Sequence, residues 1–208
     1  MVQTQDGSST LYIPDLEEHY HSVRGALTES LHVYITHGLN RVKQEPIHLL
    51  EVGMGTGLNV LLSASTGRSI YYDALEPYPL LESEWQQLQF QYEPIQPEWI
   101  QVLHQTAPGE VVSINRLNLV WYKQKLEDFD TSRRYDLVYF DAFAPSKQTG
   151  PWMLSNLEKI HRLLNHGGIL TTYCANGAFK RNLKQVGFMV ENPPGPMGKR
   201  EITIATKI

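Results

Sequence analysis

The sequence predicts an α/β fold: a doubly wound, mostly parallel sheet covered by helices and finished by an antiparallel hairpin. Three observations predict it. Strand-like and helix-like segments alternate from residue 47 onward. The first strand runs into a glycine-rich turn, Gly53-Met54-Gly55-Thr56-Gly57, that hands over to a helix. The last two strand-like segments have no helix between them, so they must pair as a hairpin, because a parallel pair needs a long crossover.

Residues 1–45 read as an N-terminal extension laid over a domain that runs from 46 to 208. His48–Val52 is an apolar first strand, and Leu58–Ser65 begins its helix. Ser69–Leu75 is a second strand that ends at Glu76-Pro77. From Leu80 to about Tyr92, Leu80, Leu81, Trp85 and Leu88 fall at spacings that suit one helix face. Val111–Ile114 and Leu117–Tyr122 read as a strand pair joined at Asn115-Arg116. Tyr135–Phe140 is a strand that ends at Asp141, and Trp152–Leu164 a helix stopped by His166-Gly167-Gly168. Ile169–Cys174 is the next strand, followed by a short basic helix, Ala178–Val186, that stops at Gly187. Phe188–Glu191 and Glu201–Thr206 close the chain around a Pro/Gly-rich loop, Asn192–Gly198.

Composition narrows the function classes. A chain of 208 residues supports one α/β domain with a sizeable core and is short for two. No apolar run approaches the roughly 20 residues of a membrane span. The N-terminus lacks the basic-then-apolar layout of a signal peptide. Cys174 is the single cysteine, which excludes an intrachain disulfide and a cysteine zinc cluster. These features together indicate the cytoplasm. A net charge of -4 weighs against whole-surface nucleic-acid binding, but the last quarter is locally basic, with Lys180, Arg181, Lys184, Lys199, Arg200 and Lys207 against Glu191 and Glu201.

The glycine turn carries the first chemical signal. In open α/β sheets a ligand sits beyond the carboxyl end of the strands, and glycines there let the backbone approach it. The spacing is not the G-x-G-x-x-G of a dinucleotide site, and no Lys-Ser/Thr follows as a phosphate loop requires. Instead Glu51 stands two residues ahead of alternating Gly53, Gly55 and Gly57. That pattern resembles the first motif of S-adenosylmethionine (AdoMet) methyltransferases, whose ligand carries an ammonium that an acid near the turn helps to hold. Glu76, about twenty residues beyond the turn, is placed to accept hydrogen bonds from both hydroxyls of a ribose; its bland alternative is a solvated strand-end carboxylate.

Asp141 carries the second signal. It follows an almost wholly apolar strand and precedes Ala142-Phe143-Ala144-Pro145, so its carboxylate stands at the ligand edge beside a poorly solvating rim. A carboxylate there suits methyl transfer to an amine: it orients the N–H bonds and stabilises positive charge developing on nitrogen. N-capping of the following turn is the competing role.

The run Asp141-Ala142-Phe143-Ala144-Pro145-Ser146-Lys147, with Trp152 beyond it, resembles the signature of the MnmC-type tRNA methyltransferases. Glu51 to Asn59, Glu18-His19-Tyr20-His21-Ser22 with Glu29, and Gly198-Lys199-Arg200-Glu201 are similar to three further motifs of that family, so the resemblance covers nearly the whole chain. It implies a Rossmann-like AdoMet-dependent methyltransferase fold with a mostly parallel, seven-stranded sheet. It implies methylation of the aminomethyl group on a wobble uridine of tRNA. Asp141 would contact the amine; Glu51, Gly53, Gly55, Gly57 and Glu76 would bind AdoMet; Tyr20, Ser22 and Glu29 would close that pocket; Lys147, Lys199 and Arg200 would lie near the nucleic acid. Two departures stand out: Ala142 replaces a common Gly, and Gln124 stands where the family suggests an acid for the adenine amino group. Many relatives are fused to a flavin-dependent oxidase; with no second dinucleotide fingerprint before Ile208, this sequence resembles the stand-alone methyltransferase, which receives its aminomethyl-uridine from other enzymes.

Other readings stay open at this stage. No metal is expected: His19, His21 and His32 lack an acid–His ligand spacing and suit pocket or surface positions. Trp152 is either core or a cover for the substrate pocket, and Lys147 either a loop cation or a phosphate contact. An aminopropyltransferase of the spermidine-synthase type would need several acids around the amine, and Asp141 is alone in its segment. A catalytically inactive binding protein would have no need of the glycine turn, Glu76 and Asp141 together.

Overall fold

The computed structural model describes residues 1–14, 17–196 and 200–208. Its centre is an eight-stranded sheet, one strand more than the family resemblance implies. β5 (Ile47–Val52), β6 (Ile70–Leu75), β8 (Leu117–Tyr122), β9 (Tyr135–Phe140) and β10 (Leu164–Thr172) are parallel. The antiparallel members are β7 (Val111–Ile114) on one edge and β11 (Phe188–Glu191) with β12 (Thr203–Lys207) on the other. In sheet order they run β11-β12-β10-β9-β5-β6-β8-β7. The eighth strand is the outer half of the 111–122 hairpin, as the sequence predicts, and its exposed edge is marked by Val111.

Continuous apolar runs dictate the centre of this sheet. All six residues of β9 are buried, as are five of six in β5, the pattern of strands covered on both faces. α2 (Leu58–Ser65) covers one face and α5 (Leu154–Leu163) with α6 (Gly177–Val186) the other, giving the core two large apolar clusters. α6 is capped by Asn176, whose side chain accepts from the backbone N–H groups of Ala178 and Phe179, and it ends on left-handed Gly187 as the sequence suggests.

Two local expectations fail, and one helix arrives unpredicted. The helix expected from Leu80 to Tyr92 shrinks to one turn, α3 (Glu82–Trp85). Beyond it the chain bonds to the N-terminal extension instead: Gln89 O accepts from Ser9 N at 3.0 Å, while Trp85 and Leu88 pack on Leu11. Helix α4 (Pro97–Gln105) has no counterpart in the sequence reading, although Pro97 at its start and Glu98 in its first turn are helix-start residues. Gly167-Gly168 does not cap α5, which passes at Leu164 directly into β10; the pair sits in a register shift between Leu164 and Ile169, with Gly167 at φ +77°.

The first residues form two small antiparallel pairs, β1 (Val2–Gln3) with β2 (Ser9–Thr10) and β3 (Tyr12–Ile13) with β4 (Glu18–His19). α1 (Ala26–Ser30) then continues into a π-helical turn, Leu31–Thr36, whose Val33 and Tyr34 enter the main core. No described helix is long and apolar enough to cross a membrane.

Candidate active site

β5 and β9 are neighbours in space, but the chain winds away from β5 to β6 before returning to β9. The crevice between their carboxyl ends is therefore the topological switch point where such folds bind ligands. A cleft of about 720 Å³ opens there. Gly53, Gly55, Glu76, Gln124 and Asp141 line it, together with Tyr20 and His21 from the extension and Phe143 and Gly150 beyond β9.

The glycine turn is built for close approach. Gly53, Gly55 and Gly57 all have positive φ, at +90°, +51° and +77°. A Cβ on Gly53 would stand 2.7 Å from the carbonyl oxygen of Asp141, so the two strand tips touch only because this residue lacks one. A Cβ on Gly55 would meet the Tyr20 ring at 2.7 Å, which places the extension directly over the turn. Gly57 is the left-handed N-cap of α2, packed against Leu103, and it does not line the cleft. Two histidines clamp Thr56 between the last two glycines: His21 shares a 2.7 Å hydrogen bond with its hydroxyl, and His104 donates to its carbonyl at 3.1 Å. Burial lowers both imidazoles to a pKa of about 4, so they work as neutral rings.

Four carboxylates line the cleft, Glu76, Glu84, Glu127 and Asp141, and Glu76 and Asp141 stand at strand tips on either side of β5. Glu76 accepts from the backbone N–H of Gly55 at 2.7 Å and of Tyr78 at 2.8 Å. Burial raises its pKa, and those two hydrogen bonds oppose the rise. Its oxygens keep lone pairs for a diol. Asp141 is half-buried, with its backbone N–H on Val52 O at 2.9 Å. Tyr34 donates to its Oδ1 at 2.5 Å and Asn59 to its Oδ2 at 2.8 Å. Asn59 gives its other amide proton to Glu51 Oε1 at 2.8 Å, and the Tyr72 hydroxyl bonds to Glu51 Oε2 at 2.9 Å. Glu51 itself is fully buried beneath the turn and does not line the cleft; burial raises its pKa far above the usual carboxylate range, Asn59 opposes this, and nearby Asp141 adds to it.

The remaining candidate residues scatter. Ser22 and Glu29 lie outside the cleft lining; the Ser22 hydroxyl accepts from Arg24 N. Trp152 is 6% exposed, packed edge-on to Phe140 and Phe179, and its Nε1–H donates to Phe143 O at 2.8 Å. It therefore supports the Phe143 loop from inside and does not cover a pocket. Lys147 is half-buried on that loop beside the cleft-lining Gln148, and Arg200 is exposed. Lys199 lies outside the described residues. The three histidines point apart: His19 packs on Tyr12, His21 reaches Thr56 and His32 reaches Pro194 O. Among the described residues no three His, Cys, Asp or Glu side chains converge as metal ligands.

Sequence reasoning missed Tyr34, Tyr72 and His104, and gave Asn59 no role. Asn59 had a visible signal, an amide two residues past the last glycine on a helix otherwise buried and largely apolar. Tyr34 had none, since it meets Asp141 across 107 positions of chain.

The cleft suits a nucleoside with a charged tail: alternating glycines without a Cβ, an acid held by backbone amides, and no phosphate-binding loop. Comparison with known proteins agrees. A family model described as S-adenosyl-L-methionine-dependent methyltransferase matches residues 80–208. The chain is 29% identical to the tRNA 5-methylaminomethyl-2-thiouridine biosynthesis bifunctional protein MnmC of Cupriavidus necator, over 94% of this chain and 32% of that protein. It is 24% identical to the protein of the same name in Campylobacter fetus, over 94% and 34%. It thus spans about a third of the length of these curated relatives. The crystal structure of MNMC2 from Aquifex aeolicus superposes with a TM-score of 0.83 at 26% identity, covering 98% of this chain and 68% of that one. The N-methyltransferase NodS from Bradyrhizobium japonicum shares the fold alone, at 12% identity and a TM-score of 0.51, covering 86% and 92%.

Proposed function

The chain belongs to the S-adenosyl-L-methionine-dependent methyltransferase family, and from that premise we propose that it methylates the aminomethyl nitrogen of a wobble uridine in tRNA, as a cytoplasmic enzyme. The observation that carries this reading is the placement of Asp141: a half-buried carboxylate on the cleft wall, in backbone contact with Gly53 and followed by the apolar Ala142 and Phe143.

When bound, AdoMet supplies a methyl carbon activated by its sulfonium. Gly53 and Gly55 would let it approach the backbone, Glu76 would accept from its ribose hydroxyls and Gln124 would meet its adenine, while Tyr20 covers the turn. Glu51, fully buried and outside the cleft lining, would not touch the cofactor. The amine must be unprotonated to present a lone pair. Asp141 accepts its N–H bonds, aims the lone pair into the cleft and stabilises the positive charge that nitrogen acquires. Tyr34 and Asn59 each donate to one of its oxygens and hold the carboxylate in place. Most of the rate comes from the alignment that the rigid strand tips impose.

For the nucleic acid, Lys147 and Arg200, with Lys199 beside it in sequence, are the cations we assign to phosphate contacts. A few such contacts on a chain of net charge -4 make binding steeply salt-dependent. The target base must leave its stack to reach Asp141. Nucleoside mass spectrometry tests the reading. Undermodified tRNA carrying aminomethyl-uridine, incubated with the protein and labelled AdoMet, should yield methylaminomethyl-uridine. An unmodified uridine from a protein that still binds AdoMet would move the substrate elsewhere.

A further inference from the structure

Beneath the cleft runs a chain of side chains that starts from its Asp141 wall: Tyr34, Asp141, Asn59, Glu51 and Tyr72, each within 2.9 Å of the next. Asn59 is its middle member. It is 2% exposed on the first turn of α2, and both of its amide protons are spent on carboxyl groups. Its own Oδ1 is buried without a hydrogen-bond partner among the described residues. A buried carbonyl left unsatisfied forfeits its hydration with nothing in return. A residue kept for packing alone would not carry that cost, so the two donors are what this position supplies.

We propose that Asn59 is a positioning residue for methyl transfer, holding the Asp141 carboxylate toward the cleft, and that Glu51 acts through it by fixing which way the amide faces. The inference rests on the reading of Asp141 given above. An Asn amide has two orientations half a turn apart, and only one presents its N–H groups to Asp141. Turned over, the amide would set a carbonyl against a carboxylate. Glu51 decides between them. Tyr72 occupies Glu51 Oε2, so Glu51 Oε1 faces Asn59 as a plain acceptor and rewards the same orientation that Asp141 needs.

The protonation state of Glu51 follows from its surroundings. Among the described residues no cation bonds to it; its partners are an amide and a phenol, and the nearest other charges are the carboxylates of Asp141 and Glu76. A second anion there would be unpaired and would repel the first, so Glu51 is held as the neutral acid, consistent with the upward push that burial gives it. Its O–H and the Tyr72 hydroxyl then share the 2.9 Å contact at Oε2, while its carbonyl oxygen accepts from Asn59. The single negative charge of the chain stays on Asp141, where a developing cation can use it.

Steady-state kinetics on the intact protein, with AdoMet affinity measured by calorimetry, tests this. Asn59→Leu should lower kcat by about 10–100-fold while the KM for tRNA and the AdoMet Kd stay within about twofold. Glu51→Leu should lower kcat similarly, and the conservative Glu51→Gln, which copies the neutral acid's donor and acceptor, should restore it to within about threefold of wild type. Wild-type kcat in Asn59→Leu would overturn the positioning role, and Glu51→Gln as slow as Glu51→Leu would overturn the neutral acid. Infrared difference spectra of wild type against Glu51→Gln give a readout independent of turnover: a protonated-carboxyl band should vanish, and its absence from the wild type would overturn the same assignment. Failure of the underlying reading looks different, because Asp141→Ala would then leave methyl transfer intact.

Discussion

Glu76 and Asp141 face one cleft from strand tips on either side of β5, yet they are held by different means. Glu76 hangs on backbone N–H groups of Gly55 and Tyr78. Asp141 hangs on the side chains of Tyr34 and Asn59. Backbone donors come with the turn itself and survive any substitution that keeps it. Side-chain donors come from α2 and the π-helical turn, elements far from Asp141 in sequence, and each is lost with one substitution. The cofactor half of the cleft is thus determined locally and the proposed chemical half by tertiary packing.

Removing each acid in turn tests this contrast most severely. Asp141→Ala should lower methyl transfer by about 10²–10⁴-fold, the usual range for a positioned acid–base group, with AdoMet affinity near wild type in calorimetry. Glu76→Ala should do the reverse. Losing a hydrogen-bonded charge worth about 1.5–3 kcal/mol weakens AdoMet by roughly 10–100-fold, while turnover at saturating cofactor falls little. Similar effects of both variants on both measurements would erase the distinction between the two walls.

Smaller effects refine it. Tyr34→Phe removes one donor from Asp141, which should cost about tenfold in kcat and leave the AdoMet Kd unchanged; an altered Kd would tie Tyr34 to the other wall. The glycine turn should be acid-sensitive. His21 and His104 titrate near 4 in the fold and near 6.5 when exposed. Their neutral forms favour folding fully above pH 6.5, and that contribution is lost as pH falls from 6.5 to 4. Up to about 3 kcal/mol per ring is at stake, because the folded and unfolded titration points lie more than two pH units apart and each is worth about 1.4 kcal/mol. Denaturant unfolding at about pH 7.5 and about pH 4.5 should show the loss, and His21→Gln should flatten it. Hydrogen exchange should locate the first opening at residues 54–57; opening first around Asp141 would contradict the clamp.

How far the sequence can be read depends on the range of the interactions involved. The Tyr135–Phe140 strand is legible because six consecutive buried residues leave only one reading. Gly53 and Gly55 are legible because a turn at positive φ excludes most other residues. The 80–92 segment misleads because its apolar spacing reflects packing on Leu11 and a backbone bond to Ser9, partners about 80 positions away. Trp152 is legible as apolar, but its neighbours in sequence do not say which side of the Phe143 loop it occupies.

Periodicity and backbone preference act over a few residues, so the order of amino acids alone sets the alternation of elements, the glycine turn and the acids at strand ends. What those acids bond to is settled only on folding. Glu51 goes beneath the turn and Asp141 to the cleft, although both are carboxylates near strand ends, and Tyr34 and Asn59 each arrive at one Asp141 oxygen. A carboxylate's behaviour depends on the donors and dielectric around it, and those come from parts of the chain that meet only when the sheet closes.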